Sequence, residues 1–135
     1  MKSLVVAILM TVISFVCFAQ DSAEYRACTE KANSQSEMTA CASEEAARVD
    51  AKLNTTDRAL LARVASQPEA LGKIKAAQRA WIAYRDAFIE ATYPAKDKAT
   101  EYGSIYPLDV ALLRARLTQR QVAALEDMLR HYTPK

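Results

Sequence analysis

The stretch Ala76-Ala-Gln-Arg-Ala-Trp-Ile-Ala-Tyr-Arg-Asp-Ala87 decides the fold class of this chain. At about 100° per residue, Ile74, Gln78, Trp81, Arg85, Phe88 and Ile89 share one helical face, and Arg79, Ala83, Asp86 and Glu90 lie opposite. The face is apolar except for Gln78 and Arg85. A guanidinium there costs several kcal/mol unless a carboxylate or a set of carbonyls meets it. Two placements satisfy that demand. Arg85 either pairs inside the protein, with Asp50, Asp57 or Asp109 as candidate acids, or reaches a rim and meets the acidic groups of a partner.

The sequence around this segment is helical throughout. Only two glycines and four prolines occur in 135 residues, and no run alternates Val, Ile and Thr as a half-buried strand would. A short helix is expected over about 22–31. A second follows from about Glu37, with Met38, Ala42, Glu45, Val49 and Leu53 at helical spacing. It either continues through Leu60 and Val64, the preferred reading, or breaks at Asn54-Thr-Thr56, where capping residues stand. Ser66-Gln-Pro-Glu69 reads as the start of the third helix, with Ser66 as cap and Glu69 reaching back. That helix ends at Tyr93-Pro94. Residues 96–106 read as one long irregular loop, and Pro107 opens a last helix through Leu108, Leu113 and Leu117 that can restart at Thr118-Gln-Arg-Gln121. The expected fold is all-α, a small antiparallel bundle of about four helices with one N-terminal disulfide.

The N-terminal end reads as an export signal. Lys2 precedes the apolar run Leu4–Phe18, and Ala19 follows it, so residues 1–19 form a signal peptide and 20–135 a single domain. The run is short for a membrane span and no second one follows. Cys17 raises lipid anchoring, but its context Ser14-Phe-Val-Cys17 places Val where a lipoprotein signal needs a small residue. Cleavage after Ala19 leaves Cys28 and Cys41, and an even count in an exported chain reads as a disulfide. Two cysteines with no nearby histidine make a poor zinc site, and no Cys-x-x-Cys pair is present. Without Lys2 the 18 basic and 16 acidic residues leave a net charge of +1. That balance argues against nucleic acid as the main partner and predicts little electrostatic steering.

The machinery of an enzyme is missing from the residue inventory. His131 is the one histidine and stands near the C-terminus. Glu44-Glu45 and Glu126-Asp127 are sequence neighbours, so each pair diverges on its helix. There is no glycine-rich phosphate loop, no metal-ligand pattern and no cofactor motif. A binding role is expected in place of catalysis.

Cys41, Asp50-x-x-Leu53-Asn54, Ala77-Gln-Arg-Ala-Trp-x-x-Tyr-Arg-Asp-Ala87, Tyr102-Gly-Ser104 and Leu117-Thr-x-Arg120 with Leu125 together resemble the LprI N-terminal domain family of exported bacterial proteins, named after a lysozyme inhibitor. The resemblance covers nearly all of the chain beyond the signal. It implies a helical periplasmic or surface domain and, for some members, inhibition of lysozyme. It makes Asp50, Leu53, Asn54, Gln78, Trp81, Tyr84, Arg85, Asp86 and Arg120 the motif residues, with a structural role. Members often carry a second cysteine pair where this chain has Phe88-Ile89 and Leu112-Leu113. The joint absence of two bonded partners supports Cys28 with Cys41 as the remaining bridge. Asp57 stands where members tend to have an aromatic residue.

The resemblance also directs attention to a binding surface. A lysozyme works through two carboxyl groups flanking a glycosidic bond, so an inhibitor gains by placing donors or a cation there. The loop from Tyr93 to Tyr106 offers Lys96, Lys98, Gly103 and Ser104, with Tyr93, Tyr102 and Tyr106 as rigid contact area. The equal alternative is that these tyrosines fold the loop back onto the bundle. The expected partner is a lysozyme or another cell-wall hydrolase. The rival is a non-inhibitory envelope interaction module or a neutraliser of another periplasmic toxin.

Overall fold

The computed structural model describes residues 21–132. The expected signal peptide, Cys17 and its cleavage site lie outside them. Five α-helices follow one another: α1 (Ala23–Thr29), α2 (Gln35–Arg63), α3 (Pro68–Thr92), α4 (Lys98–Tyr102) and α5 (Tyr106–His131). A 3₁₀ turn, Gly103–Ile105, joins the last two.

The helix starts follow from local hydrogen bonds. Ser22 caps α1 by accepting from the Tyr25 amide at 3.0 Å. Ser34 caps α2 through the Glu37 amide at 3.2 Å, while the Glu37 carboxylate accepts from the Asn33 amide at 2.5 Å. One orphan donor of the first turn and the amide just before the cap are thereby satisfied. Helix α2 runs unbroken through Asn54-Thr-Thr56 because the hydroxyls of Thr55 and Thr56 donate back to the carbonyls of Ala51 and Lys52, both at 3.0 Å. Bonded within the helix, they do not act as caps.

Three expectations about helix boundaries need correcting. Ser66 is not the cap of α3: the amide of Gln67 still bonds to the Val64 carbonyl at 2.8 Å, so residues 64–66 complete the turn out of α2. Glu69 pairs with Lys73 at 2.8 Å in place of a capping box. Thr118 does not restart the last helix, since it is fully buried in the middle of α5. Residues 96–106 are mostly ordered into α4 and the 3₁₀ turn.

Helices α2, α3 and α5 form an up-down-up bundle. Asp50 meets Thr118, Lys52 meets Glu126, and Ser43 to Asp50 face Tyr106 to Arg114, so α2 and α5 run in the same direction. Gln78 meets Gln121 and Arg85 meets Asp50, so α3 runs against both. The closest-packed pair is α2 with α5. Small residues at the seam, Ala42, Ala46 and Ala115, are all buried and let the backbones approach. The core is Val49, Leu53, Leu60, Val64, Ile74, Val122 and Leu125, with Leu60, Val64 and Val122 wholly enclosed. On α3, Ile74 and Ile89 are buried as the face pattern predicts, and Arg85 is buried with them, which settles its two possible placements in favour of the interior. Phe88 is not: it is 40% exposed at the edge of the stripe, beside Tyr84 at 5.8 Å between ring centroids.

Helix α1 lies antiparallel on the first half of α2. It has no buried residue. The Cys28–Cys41 disulfide holds it, Cα to Cα 5.7 Å, with Ser22 donating to Glu45 at 2.6 Å. Closing a loop of this length contributes about 3 kcal/mol in the chain-entropy account, but that stability is local to α1. Reduction, or Cys28→Ser with Cys41→Ser, is therefore expected to strip hydrogen-exchange protection from residues 23–29. Protection in α3 and α5 should survive, and its simultaneous collapse would show that α1 belongs to the cooperative core.

Candidate functional site

Two groups of residues meet the functional expectations, one inside the bundle and one at its end. The internal group is built on the motif helix. Arg85 is 9% exposed and its Nη1 stands 3.5 Å from Asp50 Oδ1 on α2. Its Nε donates to Asp86 Oδ1 at 3.0 Å, and its guanidinium carbon lies 5.1 Å from the centre of the Trp81 ring one turn earlier. Asp50 also accepts from the Thr118 hydroxyl of α5 at 3.3 Å. One carboxylate thus joins all three long helices. About two turns earlier on α3, Gln78 Oε1 accepts from Gln121 Nε2 at 2.6 Å, a second crosslink to α5. An arginine can occupy this stripe because each end of its planar fork finds a carboxylate and its face lies against indole.

The remaining motif residues are spread differently. Leu53 is core, and Trp81 is half-buried against it. Asn54, Asp86 and Arg120 are exposed, and Tyr84 is 56% exposed. Sequence reasoning missed Thr118 and Gln121 as partners, having read both as capping residues. The signal was present: Ala115, Thr118, Val122 and Leu125 share a helical stripe, so a hydroxyl there faces the core. Asp57 is half-buried and its Oδ1 is enclosed with no hydrogen-bond partner among the described residues.

The second group caps the end of the bundle where α3 stops and α5 begins. Tyr93, Tyr102 and Tyr106 form a ring cluster with centroids 5.2, 5.3 and 5.7 Å apart, two contacts edge-on and one stacked. The Tyr102 hydroxyl accepts from the Ala95 amide at 3.1 Å. Burial and the nearby Asp109 carboxylate push the Tyr93 phenol above its ordinary pKa. Lys98 ties the segment down, with Nζ donating to Glu90 at 2.9 Å and to the Tyr93 carbonyl at 2.6 Å. The bond to Glu90 raises its pKa. Asp97 caps α4 by accepting from the Thr100 amide at 3.0 Å and hydroxyl at 2.7 Å, which lowers its pKa.

Of the seven loop candidates, Tyr93, Lys98, Tyr102 and Tyr106 are half-buried, and Lys96, Gly103 and Ser104 are exposed. Gly103 has φ 70° and ψ −165°, a conformation in which a side chain is strained. The turn it makes presents Ile105, 45% exposed, a large apolar residue the sequence reading did not single out. The result is a rigid apex with a small exposed rim. No group of acidic, histidine or cysteine residues suited to a metal ion occurs among the described residues. No helix of these residues is long and apolar enough to cross a membrane.

Comparison with known proteins places this architecture. The chain is 34% identical over 111 residues to an uncharacterised protein of Rhizobium meliloti (strain 1021), an alignment covering 73% of this chain and 76% of the relative. No solved structure matches it. Residues 27–125, from α1 to the last core leucine of α5, match the model described as lysozyme inhibitor LprI. With its helical bundle, its N-terminal disulfide and its Gln-Arg-Ala-Trp-x-x-Tyr-Arg-Asp helix, the chain belongs to the LprI lysozyme-inhibitor family.

Proposed function

We propose that this chain is an exported protein-binding domain that inhibits a lysozyme or a related cell-wall hydrolase, and that it acts by binding and not by catalysis. The observation that carries the reading is the family match across 27–125. The residue inventory agrees with it, since the only histidine sits exposed at the end of α5 against Tyr132. Export through the signal at 1–19 delivers the domain to the periplasm or the medium, without a lipid anchor at Cys17.

The partner surface in this reading is the apex. Lys96, Gly103, Ser104 and Ile105 form its rim, and Tyr93, Lys98, Tyr102 and Tyr106 hold that rim in one shape. Rigidity matters because a contact loop ordered in advance loses little conformational entropy on binding. The second reading is a neutraliser of another periplasmic toxin or a non-inhibitory envelope module. The near-neutral charge favours it, because animal-type lysozymes are commonly basic and a domain of net +1 does not attract them at a distance.

The test is a titration of the purified mature chain into a lysozyme activity assay. Dose-dependent loss of activity at micromolar concentration is expected. Neither inhibition nor binding at that concentration removes the lysozyme reading, and recovery of a specific non-lysozyme protein from envelope extract establishes the second.

A further inference from the structure

Beside the apex, an open groove of about 450 Å³ lies on the surface along the line where α2 meets α5. Ala46 and Ala111 lie along it, Ala47 forms an exposed wall, and Tyr106 closes the end next to the loop. Two charged residues line it, Asp50 and Arg114. Their situations differ. Asp50 Oδ1 already faces Arg85 at 3.5 Å and accepts from Thr118 at 3.3 Å. Arg114 is half-buried, yet it forms no ion pair and no hydrogen bond with the described residues. It is the uncompensated charge of the groove.

We infer that this groove receives an aspartate or glutamate side chain of the protein partner, with the Arg114 guanidinium as the group that binds its carboxylate. The inference rests on the binding role proposed above and names the chemistry of its contact. The charge is complementary, and a planar fork with unused donors matches a carboxylate in two-point geometry. The alanines on either side leave room for the methylenes of an acidic side chain. The groove also continues the apex surface, since Tyr106 belongs to both.

Binding of the full mature chain to a purified animal-type lysozyme, measured by calorimetry, tests this. Arg114→Glu is expected to weaken binding by about tenfold or more, as expected when a charge pair at an interface is reversed. Ala47→Trp, which fills the groove from its exposed wall, should do the same. Lys75→Glu, an equal charge change on an exposed site at the other end of the bundle, should leave affinity within about twofold. Melting curves confirm that each variant is folded. Unchanged affinity in both groove variants overturns the inference while leaving the lysozyme reading intact.

If the wild-type chain does not bind lysozyme, that reading fails and the groove is judged separately. The ¹⁵N-labelled chain is then titrated with a blocked Ala-Glu-Ala-Glu-Ala peptide and with its Gln counterpart. Shifts at Arg114, Ala47 and Ala111 with the Glu peptide alone support the groove. No shifts, or the same shifts with both peptides, overturn it.

Discussion

Replacing Arg85 by alanine is expected to destabilise the domain by about 3 kcal/mol, the low end for breaking an enclosed ion pair, and to lower the melting temperature by roughly 10 °C or more. The low end applies because Asp50 keeps 37% of its side chain in solvent and can rehydrate, whereas Arg85 keeps only 10%. The loss has two sources. Asp50 loses its cation, and the aliphatic stem and flat guanidinium that cover Trp81 disappear. A double-mutant cycle separates them. Arg85→Met restores most of the volume, so what remains is charge. Combined with Asp50→Ala, its cost should fall below the sum of the single changes by about 1 kcal/mol, within the usual range for directly paired residues. Additivity would show that Arg85 acts through packing alone. Full stability in Arg85→Ala would place the guanidinium outside the fold's energetics and return it to consideration as a binding group.

The second large effect lies in the core. Leu60 has no solvent exposure and sits in the cluster that joins α2 to Ile74 of α3 and to Val122 and Leu125 of α5. Leu60→Ala should cost about 3–4 kcal/mol, the transfer term plus a cavity that three helices cannot collapse together. Ile82 on α3 is the matching control. At 43% exposed it packs against little, and Ile82→Ala should stay within about 0.5 kcal/mol of wild type. Chemical denaturation with a constant slope checks both. A Leu60 variant as stable as the Ile82 variant would mean that the three helices do not share one core.

How much of this was legible in the sequence depends on whether a residue's role is local. The apolar stripe on α3 predicted Ile74 and Ile89 as facing the core, because a 3.6-residue period is a property of one helix, and it put Arg85 on the same face without deciding between an internal pair and a rim. It failed at Phe88, which lies at the margin of the stripe, where the width of the neighbouring helices decides exposure. Ser34 and Ser22 cap as their types suggest, but Ser66 and Thr118 do not. A capping residue works only where the backbone has left the preceding turn, and at residues 64–66 it has not. Asp50 was one of three candidate acids for Arg85. Choosing among them needed the register of α2 against α3, which no single helix encodes. The disulfide was readable from the two cysteines left once residues 1–19 are read as an export signal.

The apex illustrates the other limit. Tyrosines, lysines and one glycine in the stretch from Tyr93 to Tyr106 mark it as unusual, but composition does not say which side chains face outward. Lys98 faces the carbonyls of Tyr93 and Ala95, and Lys96 does not. The groove with Arg114 had no sequence signal, since it is lined by residues of α2 and α5 that stand far apart in the chain.

The motif helix organises the bundle, and the apex with its adjoining groove is the surface proposed to meet the partner. Amide shifts of the ¹⁵N-labelled chain on titration with lysozyme test that division most directly. The predicted result is a contiguous set of perturbed amides at Lys96, Gly103, Ser104, Ile105 and Tyr106, extending to Ala47, Ala111 and Arg114, with Arg79, Tyr84 and Asp86 unmoved. Perturbation centred on Tyr84 and Phe88, with the apex silent, would contradict it.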